Sequence, residues 1–174
     1  AMPVTKAPLP ALYYQKGGDG MDASELFQQY GDSVFRLAWS YTGSRQDAED
    51  VTQTVFLRLI EKAPALEPGK ERAWLFQVTV NQCRSLWRQL TRHRVEPLEE
   101  ALSVAAEEER PLLRQVMELG REDRTALYLL YYEGYDTREI GEMLRISQSG
   151  VTTQLCRARK RLREKLEEGD PYEA

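Results

Sequence analysis

Apolar residues recur at spacings of three and four from Asp22 onward: Leu26, Phe27, Tyr30, Val34, Phe35, Leu37, Ala38 and Tyr41. Positions three and four apart share one face of a helix, so this stripe predicts an amphipathic α-helix. Gly43 suits its C-cap, and Ser44 suits the N-cap of a second helix carrying Ala48, Val51, Val55, Phe56, Leu59 and Ile60, which Pro64 stops. A loop from Ala63 to Glu71, with Pro64, Pro68 and Gly69, leads to a third helix from about Arg72 to about Arg94. Its inward candidates are Trp74, Leu75, Val78, Cys83, Leu86 and Leu90. After Pro111, short helices are expected at about Leu112 to Leu119, Glu122 to Glu133, Thr137 to Leu144 and Gln148 to Glu168. No convincing run alternates with a period of two, so the predicted fold class is all-α.

The breaks in this pattern divide the chain into two small helical domains. Residues 1–20 hold three prolines and three glycines without helical periodicity and read as a flexible or extended arm, although Leu12, Tyr13 and Tyr14 could let it dock. They lack the apolar run of a signal peptide; Ala1 before Met2 fits a cloning remnant, and Met21 an alternative start. Residues 21–94 form the first domain, 95–110 an acidic linker, 111–168 the second domain and 169–174 a tail.

The pair Thr137 to Leu144 and Gln148 to Glu168, separated by Arg145, Ile146 and Ser147, has helix-turn-helix proportions. Thr137 can cap the first helix, and Gly141 permits close approach. On the second helix Val151, Leu155, Ala158, Leu162 and Leu166 fall on one stripe. Opposite lie Ser149, Thr153, Arg157 and Lys160, flanked by Thr152, Gln154, Arg161 and Arg163. Small hydrogen-bonding side chains in the first turns and cations after them suit a recognition helix, whose early turns meet base edges and whose later cations meet phosphates. A solvated cationic face is the plainer alternative.

Composition then removes function classes. With 41% hydrophobic and 30% charged residues, and no window approaching 18 consecutive apolar residues, the chain is predicted to fold and not to insert in a membrane. One histidine, His93, and two distant cysteines, Cys83 and Cys156, leave little for metal, disulfide or acid–base chemistry and point to a reducing cytoplasm. A small helical enzyme is left without machinery; no catalytic residue, metal or cofactor is expected.

The net charge of −4 argues against nucleic acid only until it is split along the chain. From Ala65 to Arg94 six bases face two acids, from Val95 to Glu109 six acids face no base, and from Arg157 to Lys165 six bases face Glu164 alone. Charges more than about 10 Å apart are largely screened at physiological salt, so the two basic stripes act locally whatever the total.

On the third helix Asn81, Arg84, Arg88, Arg92 and Arg94 recur near helical spacing, with Trp74 and Trp87 interleaved. Cations beside aromatic rings suit single-stranded or opened DNA, whose unstacked bases expose π faces. Taken singly, each tryptophan fits core packing as well. The second helix opens with Asp47, Glu49, Asp50 and Gln53 and is expected to expose Phe56 and Arg58. Acids in a first turn complement the helix dipole, or they form an acidic protein-docking face.

Together these segments resemble bacterial sigma factors of the extracytoplasmic-function type. DAEDVTQTVFLRL (Asp47 to Leu59) is similar to that family's polymerase-binding helix. RAWLFQVTVNQCRSLWRQLTRHR (Arg72 to Arg94) resembles its promoter-melting and −10-reading helix, and YYEGYDTREIGEMLRISQSGVTTQLCRARKRLREKL (Tyr131 to Leu166) its −35-reading domain. The resemblance implies that Asp47, Glu49, Asp50, Gln53 and Phe56 bind core RNA polymerase. It implies that Asn81, Arg84, Trp87, Arg88 and Arg92 meet the −10 element and that the Ala63 to Glu71 loop holds a flipped-out base; the acidity of the linker is itself consistent with a segment that mimics nucleic acid in the polymerase's cationic channel. Arg138, Ser149, Thr152, Thr153, Gln154, Arg157 and Lys160 would meet the −35 element, and an anti-sigma factor would be a further partner. Four positions depart from the family's habit: Thr152 and Gln154 replace the usual Lys and Arg, Arg145 replaces a Gly in the bend, and Ser85 replaces an Asp. A stand-alone helix-turn-helix regulator is the competing expectation; it accounts for the C-terminal half only.

Overall fold

The computed structural model describes residues 23–62, 66, 69–91 and 115–168. The predicted arm, acidic linker and tail therefore lie outside the described residues, as do Arg92 and Arg94. Three long helices form the N-terminal unit: α1 (Ala23–Thr42), α2 (Arg45–Lys62) and α3 (Glu71–Leu90). The C-terminal unit holds α4 (Arg121–Leu127), a π-helical turn (Tyr128–Tyr132), α5 (Thr137–Leu144) and α6 (Gln148–Glu168). No strand occurs among the described residues.

Local chemistry explains the breaks. Gly43 takes φ +70° beyond α1, a left-handed conformation that costs glycine little, and the Ser44 hydroxyl then accepts from the Asp47 amide at 3.3 Å to start α2. At α5 the cap is Asp136 and not Thr137: its carboxylate accepts from the Glu139 amide at 2.8 Å while the Glu139 side chain accepts from the Asp136 amide at 2.9 Å. This reciprocal box satisfies two amides that a first turn leaves orphaned. The expected single helix from Glu122 to Glu133 is α4 running into the π turn, where the Glu133 amide reaches back five residues to the Tyr128 carbonyl at 3.2 Å.

The two units do not stand apart. Val34, Leu37, Val55, Phe56, Leu75 and Val80 belong to the same continuous apolar core as Ala126, Leu129, Ile140, Leu144, Val151 and Leu155. Phe76, which the predicted inner stripe of α3 left out, is fully buried and meets the Tyr135 ring of the C-terminal unit edge-on at 5.8 Å. Burying such an aromatic ring stabilises by about 2–3 kcal/mol, so this contact helps to hold the units together. Leu166, predicted to lie on the apolar stripe of α6, is exposed at the helix's far end, past the last turn that the unit covers.

Candidate polymerase and nucleic-acid interfaces

Helices α2, α3 and α6, with Arg138 of α5, present the described site residues, and each does so differently. On α2, Glu49, Asp50 and Gln53 are exposed and Asp47 is half-buried, with Arg45 donating to Glu49 at 3.0 Å one turn on. Phe56 is corrected: it does not reach solvent but is 1% exposed, its ring edge-on to Phe27 at 4.9 Å. It sits beside Val55 on the inward side of α2, so truncating it would open a core cavity costing about 3–5 kcal/mol and would not isolate a docking contact.

On α3, Asn81 and Arg84 are half-buried while Trp87 and Arg88 are exposed, all along one face. That face is turned toward the C-terminal unit. Arg84 donates to both carboxylate oxygens of Glu122 on α4, at 3.3 and 3.2 Å, and Tyr41 donates to the same carboxylate at 3.0 Å. Burial alone would lower the pKa of Arg84, but Glu122 outweighs it and raises the pKa above its ordinary value. Burial, reinforced by Glu122, pushes the Tyr41 phenol up to about 12, so Tyr41 remains a donor at neutral pH. The guanidinium of Arg121 lies over the Trp87 ring, in the position that a stacked base would take. Between α3 and the helix-turn-helix bend, a cleft of about 530 Å³ is lined by Asn81, Arg84, Trp87, Arg88, Glu122 and Arg145.

Arg124 secures this arrangement. Its guanidinium donates to the carbonyls of Ser40 (2.8 Å) and Tyr41 (3.0 Å) at the end of α1, and to those of Met117 (2.7 Å) and Leu119 (2.8 Å) before α4. Burial and the neighbouring Arg121 charge draw its pKa down to about 10, which leaves it charged at neutral pH. At the other end of α3, Arg72 pairs with the Glu133 carboxylate and lies over the rings of Tyr135 and Phe76. The described part of the loop predicted to hold a base faces α5 across a second cleft, of about 790 Å³, between Leu66, Gly69, Lys70 and Trp74 on one side and Arg138 and Glu142 on the other.

On α6, Ser149, Thr152, Thr153, Arg157 and Lys160 are exposed on one side, and Arg138 of α5 is exposed as well. Gln154 is corrected: only 7% exposed, it flanks the buried Val151, Leu155 and Ala158 and cannot reach DNA without unseating the helix. The bend is built by two unusual positions. A Cβ on Gly141 would stand 2.8 Å from the Ile146 carbonyl oxygen, so only glycine fits there. Arg145 adopts φ 56°, ψ 45°, the left-handed conformation that costs a non-glycine residue about 1–2 kcal/mol. Sequence reasoning missed Asp123, whose buried carboxylate holds Arg161 at 3.1 Å and Arg157 at 3.7 Å; an acid in the first turn of α4 carries no local sign of partners on α6. Among the described residues, no group of three or more His, Cys, Asp or Glu side chains could hold a metal ion, and no helix is long and apolar enough to cross a membrane.

The chain matches Sigma-70 region 2 over residues 12–93 and Sigma-70 region 4 over residues 109–162. It belongs to the extracytoplasmic-function sigma factors. Among its relatives, the sigma factor SigE of Mycolicibacterium smegmatis is 33% identical over 155 residues, covering 82% of this chain and 60% of SigE. SigM of Mycobacterium tuberculosis is 28% identical over 151 residues, covering 83% of this chain and 77% of SigM. The chain thus spans less than two thirds of SigE's length. Among solved structures, the Bartonella quintana sigma factor RpoE, crystallised with the anti-sigma factor NepR, superposes with a TM-score of 0.69 at 19% identity, covering 86% of this chain and 99% of RpoE. CnrH, bound to the cytosolic domain of CnrY, gives 0.63 at 23% identity, covering 86% of this chain and 90% of CnrH. In this sigma factor, region 2 accounts for α1 to α3 and region 4 for the helix-turn-helix. A stand-alone regulator would have no use for the former.

Proposed function

We propose that this sigma factor is a promoter-specificity subunit: it binds core RNA polymerase, directs it to a two-element promoter and helps to open the duplex. It is an initiation factor working in the cytoplasm, without catalytic residue or cofactor. The observation that carries this is the presence, on one chain and in family order, of an acidic helix face (α2), an arginine and tryptophan face (α3) and a helix-turn-helix (α5 and α6).

The roles divide by chemistry. The exposed carboxylates of Glu49 and Asp50, with Asp47 and Gln53, dock on a cationic surface of the polymerase. On α3, Arg84 and Arg88 hold phosphates, while Asn81 and Trp87 receive bases that have left the stack; unpairing costs a few kcal/mol per base and is offset by such stacking and hydrogen bonding. On α6, Ser149, Thr152 and Thr153 read base edges in the major groove, and Arg138, Arg157 and Lys160 anchor the phosphates. Thr152 and the inward Gln154 supply no charge, which leaves −35 binding less salt-dependent than two more cations would make it. An anti-sigma protein is a further partner, in keeping with the complexes in which RpoE and CnrH were solved.

Run-off transcription with core polymerase on genomic fragments, followed by start-site mapping, tests this. Transcripts should begin at a fixed distance from a shared two-element sequence, and only when the chain is present. Duplex binding by the chain, with polymerase start sites unchanged by it, would mark a stand-alone regulator instead.

A further inference from the structure

We infer that Asp123 is a positioning residue for −35 recognition: its buried carboxylate mounts Arg157 at the edge of the α6 reading face and sets the direction in which that guanidinium is offered to a phosphate. The inference rests on assigning −35 contact to α6, and it adds a residue of α4 to a site built from α5 and α6.

Three observations carry it. First, the carboxylate is fixed while the arginines reach solvent. The Asp123 side chain is 6% exposed, whereas those of Arg157 and Arg161 are 54% and 52% exposed. An acid in a first turn complements the helix dipole whichever way it points. This one reaches across to α6 and gives one oxygen to each arginine, Oδ1 to Arg157 and Oδ2 to Arg161. Second, the two contacts differ in kind. Arg161 donates to Oδ2 at 3.1 Å, within hydrogen-bond range. The Arg157 guanidinium stands 3.7 Å from Oδ1, too far for a hydrogen bond, so charge holds it in place without using its N–H donors. Third, helix geometry divides the roles. With 3.6 residues per turn, Arg161 lies about 40° round α6 from Arg157, on the side of the buried Gln154. The exposed Thr153 lies about 40° to the other side. Arg161 is thus the fixed leg of the mount, and Arg157 is the leg that meets DNA. Phosphate contacts fix a protein's register on the duplex, so an Arg157 aimed by Asp123 sets how Ser149, Thr152 and Thr153 meet the bases.

A double-mutant cycle in the full-length chain, bound to core polymerase, provides the test. The readout is the ratio of affinity for a promoter duplex, taken from the start sites mapped as above, to affinity for the same duplex with its −35 element scrambled. Asp123→Asn keeps the shape of the side chain and removes its charge. It should lower this ratio about fivefold while affinity for the scrambled duplex holds or rises, because a repelling charge is gone but Arg157 is no longer aimed. In an Arg157→Ala background the same substitution should leave the ratio where it stands, since Asp123 acts through Arg157. Arg161→Ala, at a half-exposed position, should lower the ratio about threefold, because the freed carboxylate draws Arg157 inward.

A ratio unchanged by Asp123→Asn would overturn the inference. Both affinities would rise together if only a negative charge mattered, and would fall together with the melting temperature if Asp123 were a strut alone. Equal losses with and without Arg157 would overturn it too. The assignment of α6 fails separately: Arg157→Ala and Thr153→Ala would then each leave the ratio at its parental value. Circular dichroism and melting check every variant. If Asp123→Asn does not fold, Arg161→Ala decides, and an unchanged ratio there overturns the inference.

Discussion

The two faces proposed to read DNA, on α3 and on α6, are held in opposite conditions. The α3 face is engaged: Arg84 is held by Glu122 and Trp87 is covered by Arg121. The α6 face is more open: Ser149, Thr152 and Thr153 bond only within their own neighbourhood or face water, Lys160 pairs loosely with Glu164 at 3.9 Å one turn on, and only Arg157 reaches across, to Asp123 at 3.7 Å. Both faces carry cations, so charge does not set the difference. It is set by what lies opposite. The α6 face is turned to solvent, whereas the α3 face is turned against a neighbour.

The contrast can be broken most strongly at Arg124. Arg124→Ala strips four carbonyls of a charged donor, and at about 1–3 kcal/mol for a buried group left unpaired it should cost 3 kcal/mol or more. Calorimetry should resolve two transitions in place of one as the units lose their clamp. A single transition at the original temperature would mean that the apolar core alone holds them. Gly141→Ala acts on the open face only. The new methyl meets the Ile146 carbonyl, and overpacking of this kind costs about 1–3 kcal/mol, so duplex affinity should fall while single-strand binding by α3 holds. Equal loss of both would show that the bend also sets the position of α3. The smallest effect is expected from Arg157→Ala, which should weaken duplex binding and reduce its salt slope by about one unit. Asp123 keeps Arg161 as a partner, so the fold survives the change; an unchanged slope would assign Arg157 wholly to Asp123.

Where structure depends on neighbours along the chain, the sequence was legible. The bounds of α5 and α6 are those the periodicity predicts, because caps, the bend and the apolar stripe are all local. The inward Val151, Leu155 and Ala158 follow from the same stripe. Gln154 was misplaced because it lies at the edge of that stripe, where a polar residue can fall on either side. Phe56 was misplaced because its likeness to a docking motif outweighed its spacing from Val55 and Leu59. Phe76 and the role of Glu122 were not legible at all. Each is defined by the other unit, and no pattern within α3 or α4 records what packs across a boundary more than thirty residues away.

Arg124 also sets a clock. The last residues of α1 leave the ribosome 83 positions ahead of the side chain that closes on the Tyr41 carbonyl. At roughly 5–20 residues per second the delay is about 4–17 seconds. Helix α3 is likewise synthesised before Arg121 and Glu122, which cover it. Every newly made molecule therefore passes through a brief interval with the Arg84 and Trp87 face of α3 bare, and a partner that arrives during translation meets a different surface from one that arrives afterwards.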